Sequence, residues 1–129
     1  MLAISLANRS GFTLIEVLVA MVIMMVGLLG LLQSINIAMD HNVRNRLREE
    51  ATNVGERIMN EYRARPFTSL SAGSITVPSK MQGFAKSYNV NYTATGVGGS
   101  TDSRELEVVV TWSYKNTQIQ HRVKSIRSL

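Results

Sequence analysis

No cysteine occurs among the 129 residues, which excludes a disulfide framework and thiolate metal sites without choosing a compartment. Proline is nearly as scarce: the two prolines, Pro66 and Pro78, leave the first half of the chain free of any residue that forces a helix to stop. The two histidines, His41 and His121, have no carboxylates at metal-ligand spacing and read as structural or surface residues. Gly98-Gly99-Ser100 lacks the lysine and the strand-to-helix setting of a phosphate loop. With no pairing of nucleophile and base either, we expect neither an enzyme nor a cofactor. Acidic residues are the minority, nine against fourteen basic, for a net charge of +5. The basic residues are scattered rather than blocked, a pattern that favours solubility and argues only weakly for a nucleic-acid partner.

Charge is scarcest from Phe12 to Leu32, where Glu16 is the sole ionisable side chain. An apolar run of about 20 residues is long enough to cross a hydrocarbon core as a helix. A carboxylate inside such a span costs about 2.5 kcal/mol or more at the bilayer centre, and such groups are usually paired and functional. Gly27 and Gly30, three residues apart, do not make the small-residue motif of close helix pairs and read as glycines tolerated in a membrane helix.

Gly11-Phe12-Thr13-Leu14-Ile15-Glu16 followed by this run resembles the processing site of the type IV prepilin family, which includes the pseudopilins of type II secretion. The resemblance implies a leader at residues 1–11, cleavage after Gly11, methylation of the new amino terminus at Phe12, and a role for Glu16 in assembly. Within the family the partner of Glu16 is the charged amino terminus, Phe12, of a neighbouring subunit. It further implies a membrane or filament-core helix at 12–33, with the amino terminus cytoplasmic and the head periplasmic. Counting charges alone would reverse that orientation, since Arg9 precedes the span and Arg44, Arg46 and Arg48 follow it.

Beyond Leu32 the apolar residues keep a helical step. Val43, Leu47, Ala51, Val54, Ile58 and Tyr62 make one stripe of an amphipathic helix over 34–65. Arg46–Glu50, Arg57–Glu61 and Glu61–Arg65 are spaced as oppositely charged helical neighbours. Pro66 ends the helix, because the residue before a proline is pushed out of the helical region.

The remaining residues, 66–129, change period. Ser74–Val77, Ser87–Thr95, Glu105–Tyr114 and Thr117–Lys124 read as strands, with a loop over Gly96–Ser103. If Lys115-Asn116 is a two-residue turn, Trp112 falls opposite Ile119, Val110 opposite His121 and Val108 opposite Val123. The same register sets Glu107 against Lys124 as an opposite-charge pair. A helix with one apolar stripe and a sheet with one apolar face are best buried against each other. The expected fold is therefore α+β, a long amino-terminal helix with its second half covered by a small antiparallel sheet, and the resemblance to the prepilin family implies the same pilin-like arrangement.

The run Val26–Gln33, Arg44-Asn45-Arg46 and the strand ending in Trp112 resemble the PilV-like minor pilins more than a major pilin. That resemblance implies a minor pilin that primes or modifies a type IV pilus. Its partners would be other minor pilins and the major pilin, the prepilin peptidase that also methylates, an inner-membrane assembly platform and membrane lipid. The alternatives are a minor pseudopilin of type II secretion or, from another class, a membrane-anchored binding domain such as a DNA receptor.

Overall fold

The computed structural model describes residues 11–81, 83–85 and 87–129; the leader expected over residues 1–11 lies outside them except for Gly11. A single helix, α1, runs from Leu14 to Ala64. Four strands follow: β1 (Gly73–Pro78), β2 (Ser87–Gly96), β3 (Ser103–Tyr114) and β4 (Thr117–Ser128). They form one antiparallel sheet in the order β1-β2-β3-β4, so each strand pairs only with its neighbours in the chain. A short 3-10 turn at Phe67–Ser69 follows Pro66.

The chain divides into two compact units, one ending at Met39 and the other comprising Asp40–Leu129. In the first, the described helical residues from Leu14 to Met39 are all exposed, and the helix is long and apolar enough to cross a membrane. In the second, Leu47, Ala51, Val54, Ile58, Met59 and Tyr62 from α1 meet Tyr88, Val90, Leu106, Val108, Val110, Trp112 and Tyr114 from the sheet in one core. Period explains both sides of it. The helix residues recur every three or four positions, and Leu106 through Tyr114 recur every two, which is the repeat that lines one face of a strand.

Helix and sheet approach closely at Gly55. A Cβ atom there would lie 3.2 Å from Val110 Cγ2 and 3.3 Å from Val123 Cγ2. Gly73 plays the same part at the sheet edge, where its bare Cα lies beneath the ring of Tyr92, its partner in the β1–β2 ladder.

The expected β3–β4 register is present: Trp112 is opposite Ile119, Val110 opposite His121, Val108 opposite Val123 and Glu107 opposite Lys124. Lys115 and Asn116 turn the chain with φ of 46° and 61°, the two positive values that a hairpin of this length requires. Asn tolerates that region; Lys115 does so while its ammonium is held by Asp40. The charge pairing differs from expectation. Lys124 bonds Glu105 at 2.7 Å and Arg122 bonds Glu107 at 2.8 Å, each one diagonal step from the residue directly opposite. Long side chains reach the diagonal neighbour readily across a twisted sheet. Both β3 and β4 also run further than the sequence pattern suggested, to Ser103 and Ser128. The pattern fades there because the half-buried positions are the polar Ser125 and Arg127 while Ile126 falls on the exposed face.

Candidate assembly site and its supports

Thr13 precedes the first helical residue and caps it: the Glu16 backbone N–H lies 3.3 Å from Thr13 Oγ1 and 3.1 Å from the Thr13 carbonyl. One free donor of the helix start is thereby met, and Glu16 stands in the first turn, where a carboxylate is favoured by the helix dipole. Gly11, Phe12 and Thr13 are outside the helix and exposed, and Phe12 is 85% exposed. A Cβ added to Gly11 would meet nothing within 4 Å. The Gly11–Phe12 bond thus lies outside the helix between two exposed residues. Glu16 is also exposed, one helical turn beyond Phe12. Its exposed neighbours include Ile15, Val17, Val19 and Met21.

Further along, Leu47, Ala51, Val54, Ile58 and Tyr62 are buried, and Val43 is half-buried against the same core. Gly55 and Met59 belong to this face as well. Tyr62 donates from its hydroxyl to the Ser71 carbonyl at 2.7 Å, and its ring meets that of Tyr92 at 4.9 Å. His41 is exposed, and His121 is half-buried on the sheet face near Gly55. Among the described residues, no three His, Asp or Glu side chains gather as metal ligands.

Two carboxylates fix the helix to the sheet, and neither role was read from sequence. The expected helical pairs Arg46–Glu50, Arg57–Glu61 and Glu61–Arg65 are absent from the ion pairs among the described residues. Glu50 instead accepts hydrogen bonds from Ser79 Oγ at 3.0 Å, the Lys80 backbone N–H at 2.7 Å and the Tyr88 hydroxyl at 2.9 Å. Ser79 is 2% exposed, so the carboxylate satisfies groups that would otherwise be buried unpaired. Burial, and then the bond to Glu50, pushes the Tyr88 hydroxyl up to about 12.

Asp40 is the second anchor. Its carboxylate accepts from Lys115 Nζ at 2.6 Å, the Tyr114 hydroxyl at 2.7 Å and Arg44 Nε at 2.9 Å. The Lys115 and Tyr114 bonds hold Asp40 well below the usual carboxylate range. The sequence does carry a signal for both. Asp40 lies three residues before Val43, and Glu50 three after Leu47 and four before Val54, so each sits beside the apolar stripe rather than opposite it. A carboxylate at such a position faces the sheet and must find donors there.

At the far end of the helix, Arg127 donates to the carbonyls of Arg63 and Arg65, two of the acceptors a helix terminus leaves free. Arg104 donates to the Leu70 carbonyl at 2.9 Å while lying over the Phe67 ring. Both ends of the Asp40–Ala64 stretch are therefore tied by side chains of the sheet.

No curated protein and no solved structure matches the chain. The family model described as prokaryotic N-terminal methylation motif matches residues 6–32, which cover Gly11, Phe12, Glu16 and the start of the exposed apolar helix. At the head of an α+β, pilin-like architecture, the matched stretch is consistent with a type IV prepilin-like signal and supports a protein of the pilin or pseudopilin type.

Proposed function

We propose that the chain is a minor pilin, cut after Gly11, methylated at Phe12, and assembled with other pilins to prime or modify a type IV pilus. The observation that carries this reading is Glu16: one carboxylate, exposed, in a helix whose residues Leu14–Met39 bury nothing within the chain. A surface so apolar has to be covered by lipid or by other helices. In either setting an unpaired carboxylate is costly, so Glu16 calls for a cation from outside its own chain.

Processing supplies that cation. While the Gly11–Phe12 peptide bond is intact, Phe12 has no charge. Hydrolysis leaves an ammonium on Phe12, four residues from Glu16 and about 6 Å along a helix axis. That offset suits an ion pair between two parallel helices displaced by about a turn. Bringing the two charges together relieves both and sets the axial stagger of neighbouring subunits. The residues 12–33 would then be the membrane and filament-core segment, with 34–65 and 66–129 forming a periplasmic head. The partners would be other minor pilins, the major pilin, the prepilin peptidase and the inner-membrane assembly platform.

The test is the mass of the protein in cells with and without the prepilin peptidase, together with a search for it in sheared surface filaments. Loss of the peptidase should leave the chain longer by Met1–Gly11, and the filaments should contain the processed form in small amount. An unchanged mass would sink the reading. Processed protein confined to the membrane of a strain that bears pili would favour the secretion pseudopilin instead.

A further inference from the structure

Positive charge gathers where α1 ends, and no ion pair among the described residues offsets it. Arg104 and Arg127 stand directly opposite each other in the β3–β4 ladder. Arg104 keeps the alternation of Leu106 and Val108, so both belong to the side of the sheet that faces α1. Like charges so placed repel. Arg65, just past the end of α1, joins them: Arg127 donates to its carbonyl, and its guanidinium lies 5.5 Å from the Tyr62 ring centre and 5.3 Å from that of Tyr92. Burial pushes the Tyr62 hydroxyl up, and the charges of Arg65 and Arg104 both pull against that shift, which places the two near one phenol.

Each of these arginines has a local task. Arg127 meets two carbonyls at the helix end, Arg104 meets the Leu70 carbonyl at 2.9 Å, and Arg65 covers two rings. Such contacts hold a guanidinium in place but bring it no full negative charge. Glu61, one turn before Arg65, and Asp102, two residues before Arg104, are in no ion pair with them. Residues 1–10, 82 and 86 include no Asp or Glu. Apolar side chains flank the cluster. Val97, whose N–H bonds the Ser103 carbonyl, and Ile126, next to Arg127 in β4, are exposed, and Phe67 is half-buried against Arg104.

We infer that this corner binds a carboxylate-bearing surface of another subunit, with Arg65, Arg104 and Arg127 receiving the carboxylates and Val97 and Ile126 covered beside them. A guanidinium fixed along one edge still presents N–H groups in the planar fork that fits a carboxylate. Arginine beside aromatic and exposed apolar side chains is the composition of a contact between proteins. A nucleic acid binds through a run of phosphates; it would leave Val97 and Ile126 in water and would meet Asp102 and Glu61 in the same stretches of chain. The inference rests on the pilin reading above for the source of its partner.

The test places the photoreactive p-benzoylphenylalanine at Val97 of the full chain, irradiates cells that carry the assembly, and identifies the crosslinked peptides by mass spectrometry. The expected product joins the chain to a second protein with a prepilin signal, within a segment that contains Asp or Glu. Arg65→Gln with Arg104→Gln should lower its yield about tenfold with melting unchanged. Arg46→Gln with Arg48→Gln removes the same charge from exposed helix positions and should leave the yield as it is. If the loss of Arg104 unfolds the chain, Arg65→Gln alone keeps the bonds of Arg104 and Arg127 to the backbone and gives the answer. No crosslink to a second pilin, a partner segment without acids, a crosslink to nucleic acid alone, or a yield that both pairs of substitutions change equally overturns the inference. A processed, filament-borne protein that fails here sinks the inference and spares the pilin reading, whereas an unprocessed chain sinks both.

Discussion

Gly55 of the helix lies directly under Val110 of the sheet, so close that a methyl group at Gly55 would stand 3.2 Å from the valine Cγ2. The absence of a side chain at this one position allows α1 to sink onto β3 and β4, where Val123 and His121 close over it. Gly55→Ala should change stability by less than about 1 kcal/mol, because the gain in helix propensity offsets the crowding. Gly55→Leu has no such escape and should cost about 1 to 3 kcal/mol or more through overpacking. Thermal melting of the two variants, followed by circular dichroism of the sheet, separates these outcomes.

Asp40 gives the fold a dependence on acid. Its proton is bound more weakly in the folded chain than in the unfolded one, since Lys115, Tyr114 and Arg44 all hydrogen-bond the charged form. The stability this contributes is complete above the ordinary value of 3.8 and is lost as pH falls below it. Asp40→Asn should therefore melt below the native protein at neutral pH, and the two should converge as the solution is acidified below about pH 4. Parallel melting curves at every pH would show that the cluster contributes nothing.

Tyr88 titrates in the opposite sense. Burial and the Glu50 carboxylate raise its hydroxyl to about 12 from an ordinary 10.0, so the stability it lends is present below pH 10 and drains between those two values. In an alkaline titration followed by phenolate absorbance, one tyrosine should ionise last, and Tyr88→Phe should remove that step. The same variant takes a donor from the Leu47 carbonyl and from Glu50, at a cost of about 1 to 3 kcal/mol.

Glu16→Ala addresses assembly rather than folding. The side chain of Glu16 is exposed, and its backbone joins the cap at Thr13. The variant head should melt as the native one does, and the chain should still enter the membrane. Piliation of a null strain should not be restored. Normal pilus numbers in that strain would reduce Glu16 to a side chain that merely reaches the headgroups.

Much of this fold was legible because period is a local property. The stripe from Val43 to Tyr62 and the alternation from Leu106 to Tyr114 each declare a buried face without reference to the rest of the chain, and the Lys115-Asn116 turn then dictates one register. The Gly11–Glu16 signal is likewise contiguous. What escaped was non-local. Glu50 was assigned to Arg46 by spacing, yet its donors are Ser79, Lys80 and Tyr88, about thirty to forty residues away and brought near only by the sheet. The diagonal choice of Lys124 for Glu105 reflects twist, which sequence spacing does not carry. The surface depression lined by Ser87, Asn89, Thr111 and Gln118 draws on β2, β3 and β4, and no stretch of sequence holds them together.

The strand order β1-β2-β3-β4 has a kinetic consequence. Every ladder in this sheet closes a hairpin, so no strand waits for a distant segment and no intervening loop has to be threaded. Loop closure is the slow and costly part of building a sheet, and folds made of neighbour pairings reach the native state early. A chain that folds in the order of its sequence can zip strand after strand onto a helix that already exists. The head would be finished almost as soon as Ser128 is free, leaving little time for an open strand edge to find the wrong partner.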